Sequence, residues 1–268
     1  MEAMSIIGTC KLCKKSGVKL CDSHLIPKGA YRLIAKSQAG DAPIVMNSAI
    51  AISKNEQVHD YVFCKDCEDL FSKKGEKWVL KRCYRGTDGF ALKTDLDMTV
   101  PVFEKENQLK VYSAKSAPSI DVSKLAYFAA SIFWRSSIHS WELGGKRLNL
   151  PALGKMYEEQ FRQYLLGYEK FPQDATLWLN IVNDNNLWSL ISFPYGEKTK
   201  NYWQWQFQLL GLVFMLFIGA RVPKENRQFC LANSADPCIT VCKAADDMVL
   251  THAAKLRAKS KPVGSLKA

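Results

Sequence analysis

The chain has 268 residues, 47% of them hydrophobic, enough to bury a core and to house a small metal module beside a larger domain. Its formal net charge of +11 points to a polyanionic partner, while its most apolar stretch, Leu209 to Ala220, is too short to span a bilayer. The charge is uneven: residues 1–90 carry a net +5, the last seventeen residues hold five bases (Lys255, Arg257, Lys259, Lys261, Lys267) and no acid, and the middle is nearly neutral.

Read from the start, Met1-Glu2-Ala3-Met4 is not an apolar signal segment, so a reducing, cytoplasmic setting is expected, and nine cysteines do not suggest a disulfide framework. Cys10/Cys13 and Cys64/Cys67 form two C-x2-C pairs. Two residues between thiolates let both sulfurs of a turn face one ion, and two such turns complete a tetrahedral zinc site of structural type, with no position left for water. A rival set would join Cys10 and Cys13 to Cys21 and His24, taking His24 out of any chemistry and stranding Cys64 and Cys67. Cys83, Cys230, Cys238 and Cys242 have no paired spacing and read as ordinary thiols.

Between the pairs come a short strand or turn, the run Ser23-His24-Leu25-Ile26-Pro27-Lys28, a helical piece near Ala30 to Lys36, and a loose Gly/Ala/Asn-containing insertion. From Glu68 to Arg85 a helix is predicted, with Leu70, Phe71 and Trp78 inward. Lys74, Lys77, Lys81 and Arg85 recur at spacings of three, four and four, so on a helix they share one face, where they can track a phosphate backbone or simply be solvated. Thr87 to Ser119 reads as a strand-forming passage to a second domain, with Leu109-Lys110-Val111-Tyr112 alternating. A helix from Val122 is expected to end near Gly144-Gly145, and another, from Leu153, at Gly167. Strand-like runs follow at Leu177–Val182, Leu187–Phe193 and Phe207–Ile218, the last preceded by the alternating segment 203–208. An amphipathic segment, Ala244 to Leu256, leads into the basic tail. Trp134-Arg135 and His139 read as packing on an apolar helix, and His252 has no evident partner.

Cys10-x2-Cys13, Ser23-His24-Leu25-Ile26-Pro27 and Phe63-Cys64-Lys65-Asp66-Cys67-Glu68 together resemble the zinc-bearing branch of the HNH, or His-Me finger, nucleases, over about residues 8–85. The resemblance implies two strands and a helix gripping a divalent cation, with His24 as the base that deprotonates the attacking water. It places Ser23, with Asp22 behind it, where that family has an acidic or histidine metal ligand. His59, with Asn55 nearby, falls at the asparagine that orients the base, and Glu68 at the last metal ligand. More narrowly, Ser-His-Leu-Ile-Pro-Lys and Cys-x2-Cys-Glu-Asp are similar to a set of bacterial HNH-like proteins whose later segments resemble Ser131–Arg135 and Tyr157–Arg162; defence against foreign DNA is one role this implies.

The expectation is therefore an α+β protein: a treble-clef ββα zinc module of HNH type over residues 1–90, a mixed helix-and-strand domain over 91–251, and a basic tail over 252–268. The expected function is metal-dependent DNA cleavage, the alternative an inactive zinc module that binds nucleic acid or protein. Zinc is the structural metal. Mg2+ or Mn2+ would be held by Asp22, Ser23 and Glu68, since hard cations take oxygen ligands, with His24, His59 and Glu68 as catalytic residues. Lys28, Arg32, Lys74, Lys77, Lys81 and Arg85 would contact DNA phosphates. The second domain is available for a protein partner or a second copy.

Overall fold

The computed structural model describes residues 6–37, 44–46, 50–53, 57–106 and 108–262. The N-terminal part comprises β1 (Ile7–Gly8), β2 (Val18–His24), α1 (Lys28–Ser37), β3 (Ile44–Met46), β4 (Ile50–Ser53), β5 (His59–Cys64), α2 (Lys65–Phe71) and α3 (Lys77–Arg82). A five-residue π turn, Ser72–Glu76, runs α2 into α3 without a break. Strand β2 is central between β1 and β5, both antiparallel to it. The β2–β5 pairing carries a bulge: Cys21 faces Phe63 but Asp22 faces Tyr61, leaving Val62 unpaired. β3 and β4 pair with each other. Asn55 lies outside the described residues.

After α4 (Ala91–Asp97), β6 (Phe103–Lys105) and β7 (Leu109–Ser113) pair as a hairpin, so the stretch expected to form strands does so after an unexpected helix. α5 (Val122–Ile138) opens with Asp121, whose carboxylate accepts the Lys124 amide at 3.1 Å. Leu125 through Ser136 are all buried, which marks a helix covered all round. It stops at Ile138, earlier than expected. Gly144 and Gly145, both at positive φ, instead turn the small hairpin of β8 (Glu142–Leu143) and β9 (Lys146–Arg147). α6 (Lys155–Leu166) ends at a left-handed Gly167.

The remaining elements are β10 (Ala175–Val182), β11 (Tyr195–Lys198), β12 (Trp203–Leu209), β13 (Leu212–Ile218), α7 (Lys224–Arg227), β14 (Cys238–Cys242), α8 (Lys243–Lys259) and β15 (Lys261–Pro262). Seven strands form one sheet in the order β11-β12-β13-β10-β14-β7-β6, and only β10 and β14 run parallel. The apolar run 207–218 is two strands joined at Leu210-Gly211, both at positive φ. Leu187–Phe193 is not a strand. Asn185–Leu187 is a 3₁₀ turn, and the Trp188 indole donates to the Val182 carbonyl at 2.7 Å while its ring meets Tyr84 and Phe90.

α5 is the middle layer. On one side Phe128 and Phe133 meet Phe207 and Phe214 of the sheet; on the other Trp134 stacks on Phe63 and reaches Phe71. The two sides of residue 90 thus share one continuous buried cluster. α8 covers the opposite sheet face, where Val213, Met215 and Phe217 meet Ala245 and Val249. Coverage on both faces explains why β13 reads as an unbroken apolar run. α8 continues to Lys259, so the first part of the expected tail is helical, and His252 stacks on Tyr195. No helix among the described residues is long and apolar enough to cross a membrane.

Candidate metal centre and histidine face

Cys10 and Cys13 lie on the turn between β1 and β2, where Lys14 takes the left-handed conformation and its amide closes onto the Cys10 carbonyl at 2.9 Å. Cys64 ends β5 and caps α2, putting Cys67 in that helix's first turn. All four sulfurs lie within 4.8 Å of one another, and Cys13 and Cys64 are 3.8 Å apart. A tetrahedron with zinc–sulfur bonds of about 2.3 Å has edges of about 3.8 Å, so the cluster fits such an ion. The Cys64 amide donates to Cys10 Sγ at 3.4 Å, and the Cys67 thiol's hydrogen bond, followed by such amides, brings Cys10 down to about 4. Neither Cys21 nor His24 joins the group, which among the described residues is the one set of Cys, His, Asp and Glu ligand atoms that converges.

The knuckle is fastened to the helices behind it. Arg162 of α6 donates to the Leu12 carbonyl at 2.9 Å. Lys11 donates to the Ile138 carbonyl at 2.8 Å, a cation at the C-terminus of α5, and to His139 Nδ1 at 3.0 Å. Lysine only donates, so Nδ1 accepts and the Nε2–H of His139 points to Asp60 Oδ2 at 2.7 Å.

β2 sorts its side chains by alternation. Asp22 and His24 face outward; His24 pairs in register with His59, the rings stack at 5.3 Å, and His59 Nδ1 meets Asp22 Oδ1 at 2.5 Å. Burial lowers the His24 pKa below the ordinary imidazole value, with His59 and Lys28 adding to the effect and the Asp22 carboxylate opposing it. His24 is therefore neutral at pH 7 and can accept a proton.

Ser23 points the other way and is fully buried. Its hydroxyl donates to the Cys21 carbonyl at 3.2 Å and accepts the Phe63 amide at 3.1 Å, serving an N–H next to the bulge. On that inner side lies Glu68, whose carboxyl burial pushes up, opposed by the Arg135 charge and the Ser23 hydroxyl; its Oε1 has no hydrogen-bond partner. Arg135, 1% exposed, donates to Glu76 Oε1 at 2.7 Å and to the His24 carbonyl at 3.2 Å, with its guanidinium 4.0 Å from the Phe71 ring centroid. The three residues expected to hold Mg2+ or Mn2+ are thus not brought together: Asp22 lies on the outer face of β2, Ser23 and Glu68 on the inner one beside a resident guanidinium. They do not fit a shared divalent ion.

Of the basic residues, Lys28 and Arg32 are exposed on α1, and Lys77 and Lys81 on α3. Gly29 brings the two helices close, since a Cβ there would stand 2.7 Å from Leu80 Cδ1. Lys74 is exposed but leans over the Tyr127 ring at 5.7 Å. Arg85 is not on the helix, which ends at Arg82; it pairs with Asp88 at 3.3 Å. The sequence reading missed Arg135, Glu76 and the Lys11-His139-Asp60 chain. One signal was present: a lone arginine inside an otherwise apolar helix must find partners. Compared with known proteins, the chain matches no family model, no curated protein and no solved structure.

Proposed function

We propose that the chain is a zinc-organised hydrolase of DNA phosphodiester bonds, of the HNH type its motifs resemble, with His24 as the general base. The supporting observation is a neutral, half-buried imidazole beside the Asp22–His59 pair, on the outer face of a strand pair clamped by four cysteines. His24 would take the proton of the attacking water. His59, oriented by Asp22, would face the same phosphate, and Lys28, Arg32, Lys77 and Lys81 would hold the backbone without reading sequence. Zinc would supply rigidity rather than chemistry, since four thiolates leave it no open position.

The test uses supercoiled plasmid and single-stranded oligonucleotides, incubated with Mg2+, with Mn2+, or with EDTA kept below the level that strips zinc. His24→Ala is expected to keep zinc and DNA binding while lowering cleavage by roughly 10²–10⁴-fold. Cleavage that survives His24→Ala would refute the assignment. The second reading, a module that binds nucleic acid without cutting it, draws on the burial of Glu68 beside the Arg135 charge. Salt-sensitive DNA binding by a wild type that cuts none of these substrates would establish it.

A further inference from the structure

We infer that Arg135 is the tethered cation of the N-terminal module's interior: its guanidinium stands where Glu68, Glu76 and the His24 carbonyl would otherwise hold a divalent ion. It acts as a positioning residue that holds the His24 end of β2 to α5. This deepens the proposed function and rests on it only for the role given to His24.

The oxygen set decides the matter. Glu76 and the His24 carbonyl bond this guanidinium and the Glu68 carboxyl feels its charge, and carboxylate and carbonyl oxygens are the donors a hard divalent cation takes. Here α5 supplies the cation from the side. Guanidinium Nη2 lies 2.7 Å from Glu76 Oε1, and Nη1 lies 3.2 Å from the His24 carbonyl. The group also lies 4.0 Å from the centroid of Phe71 and 5.8 Å from that of Phe63, so one flank is aromatic, which suits a planar cation better than a hydrated ion. A side chain that is 1% exposed cannot be displaced by an ion without opening the core. The π turn belongs to the same device. Its last residue is Glu76, and the same turn carries Gly75 against Phe128, about two helical turns before Arg135.

Two consequences follow. The outer His24 face works without a divalent ion bound behind it, and the placement of the His24 ring depends on a helix that belongs to the core of the large sheet. Arg135 never touches the outer face, so it is not a catalytic residue.

The experiment is a Mn2+ titration of the zinc-loaded full chain, read by electron paramagnetic resonance, alongside an NMR pH titration of His24. Wild type is expected to show only weak surface binding of Mn2+. Arg135→Ala is expected to gain a site at least about tenfold tighter, lost again on adding Glu76→Gln. Arg135→Lys keeps a cation near Glu76 but cannot span both partners, so it should gain no Mn2+ site and yet shift the His24 resonances and pKa. Tight Mn2+ binding by wild type that Glu68→Gln abolishes would overturn the inference, and this arm needs no Arg135 variant to fold. A folded Arg135→Ala chain that gains no site would overturn it equally. Absence of cleavage alongside the expected Mn2+ pattern would sink the hydrolase reading alone.

Discussion

Ser23 owes its identity to the backbone. The bulge at Val62 takes the β2–β5 ladder out of register, and the Ser23 hydroxyl accepts the Phe63 amide inside the core. Ser23→Ala leaves that buried N–H unpaired, which costs about 1–3 kcal/mol. Denaturant unfolding should register the loss, with zinc content unchanged; a variant as stable as wild type would assign the amide another partner. Ser23→Asp should be worse, because it adds a buried carboxylate beside Glu68. The histidines set a pH dependence. His24, His139 and His252 all lie below the ordinary value near 6.5, each chiefly through burial, and His252 is down at about 4. A histidine with a lowered folded pKa leaves the unfolded chain holding more protons, so its stabilising contribution is complete above about 6.5 and is lost as pH falls toward the folded value. The urea midpoint should decline from pH 6.5 to 4, and His252→Phe, which keeps a ring against Tyr195, should flatten the lower part of that decline. A flat midpoint across this range in wild type would contradict the burial of these rings.

At the scale of elements, the π turn Ser72–Glu76 sets the contact between the four-cysteine module and α5. Its extra residue lets Gly75 press on Phe128, where a Cβ would stand 3.0 Å from the Phe128 backbone. Gly75→Ala gains up to about 1 kcal/mol of helix propensity but forces two packed helices apart, at about 1–3 kcal/mol. The clash should win, lowering the melting temperature; a stabilised variant would mean the helices can slide. The same turn shows what was legible in the sequence. The paired cysteines located the four-cysteine cluster because spacing of two is a local rule. The basic stripe assumed a constant 3.6-residue period, and a five-residue turn breaks that phase between Lys74 and Lys77. Strands β12 and β13 merged into one run because their turn is Leu210-Gly211, with no Asn, Asp or Pro to announce it. Arg135 could be noticed in the sequence but not partnered, since Glu76 and the His24 carbonyl reach it only through tertiary packing.

For the molecule as a whole, the four-cysteine cluster is tied to the rest by Phe63, Phe71, Trp134, Lys11 and Arg162, so a metal held there should support more than its own loop. One zinc per chain is expected by elemental analysis, and Cys64→Ser should release it and lower the unfolding temperature of the entire chain in one transition. A separate early transition, leaving the sheet's signal intact, would show the two parts to be independent. The pairing of β7 with β14 carries a different consequence. Ser113 on β7 bonds Asp236 just before β14, 123 residues further along the chain, and β14 then separates β7 from β10. During synthesis the hairpin of β6 and β7 must wait without its neighbour while α5, mostly apolar and buried over Leu125–Ser136, leaves the ribosome ahead of the strands that cover it. Loop closure over such a span is slow. The nascent chain therefore passes through a window in which its most hydrophobic helix is unshielded, and chaperone capture in that window should end only once the segment through Cys242 has emerged.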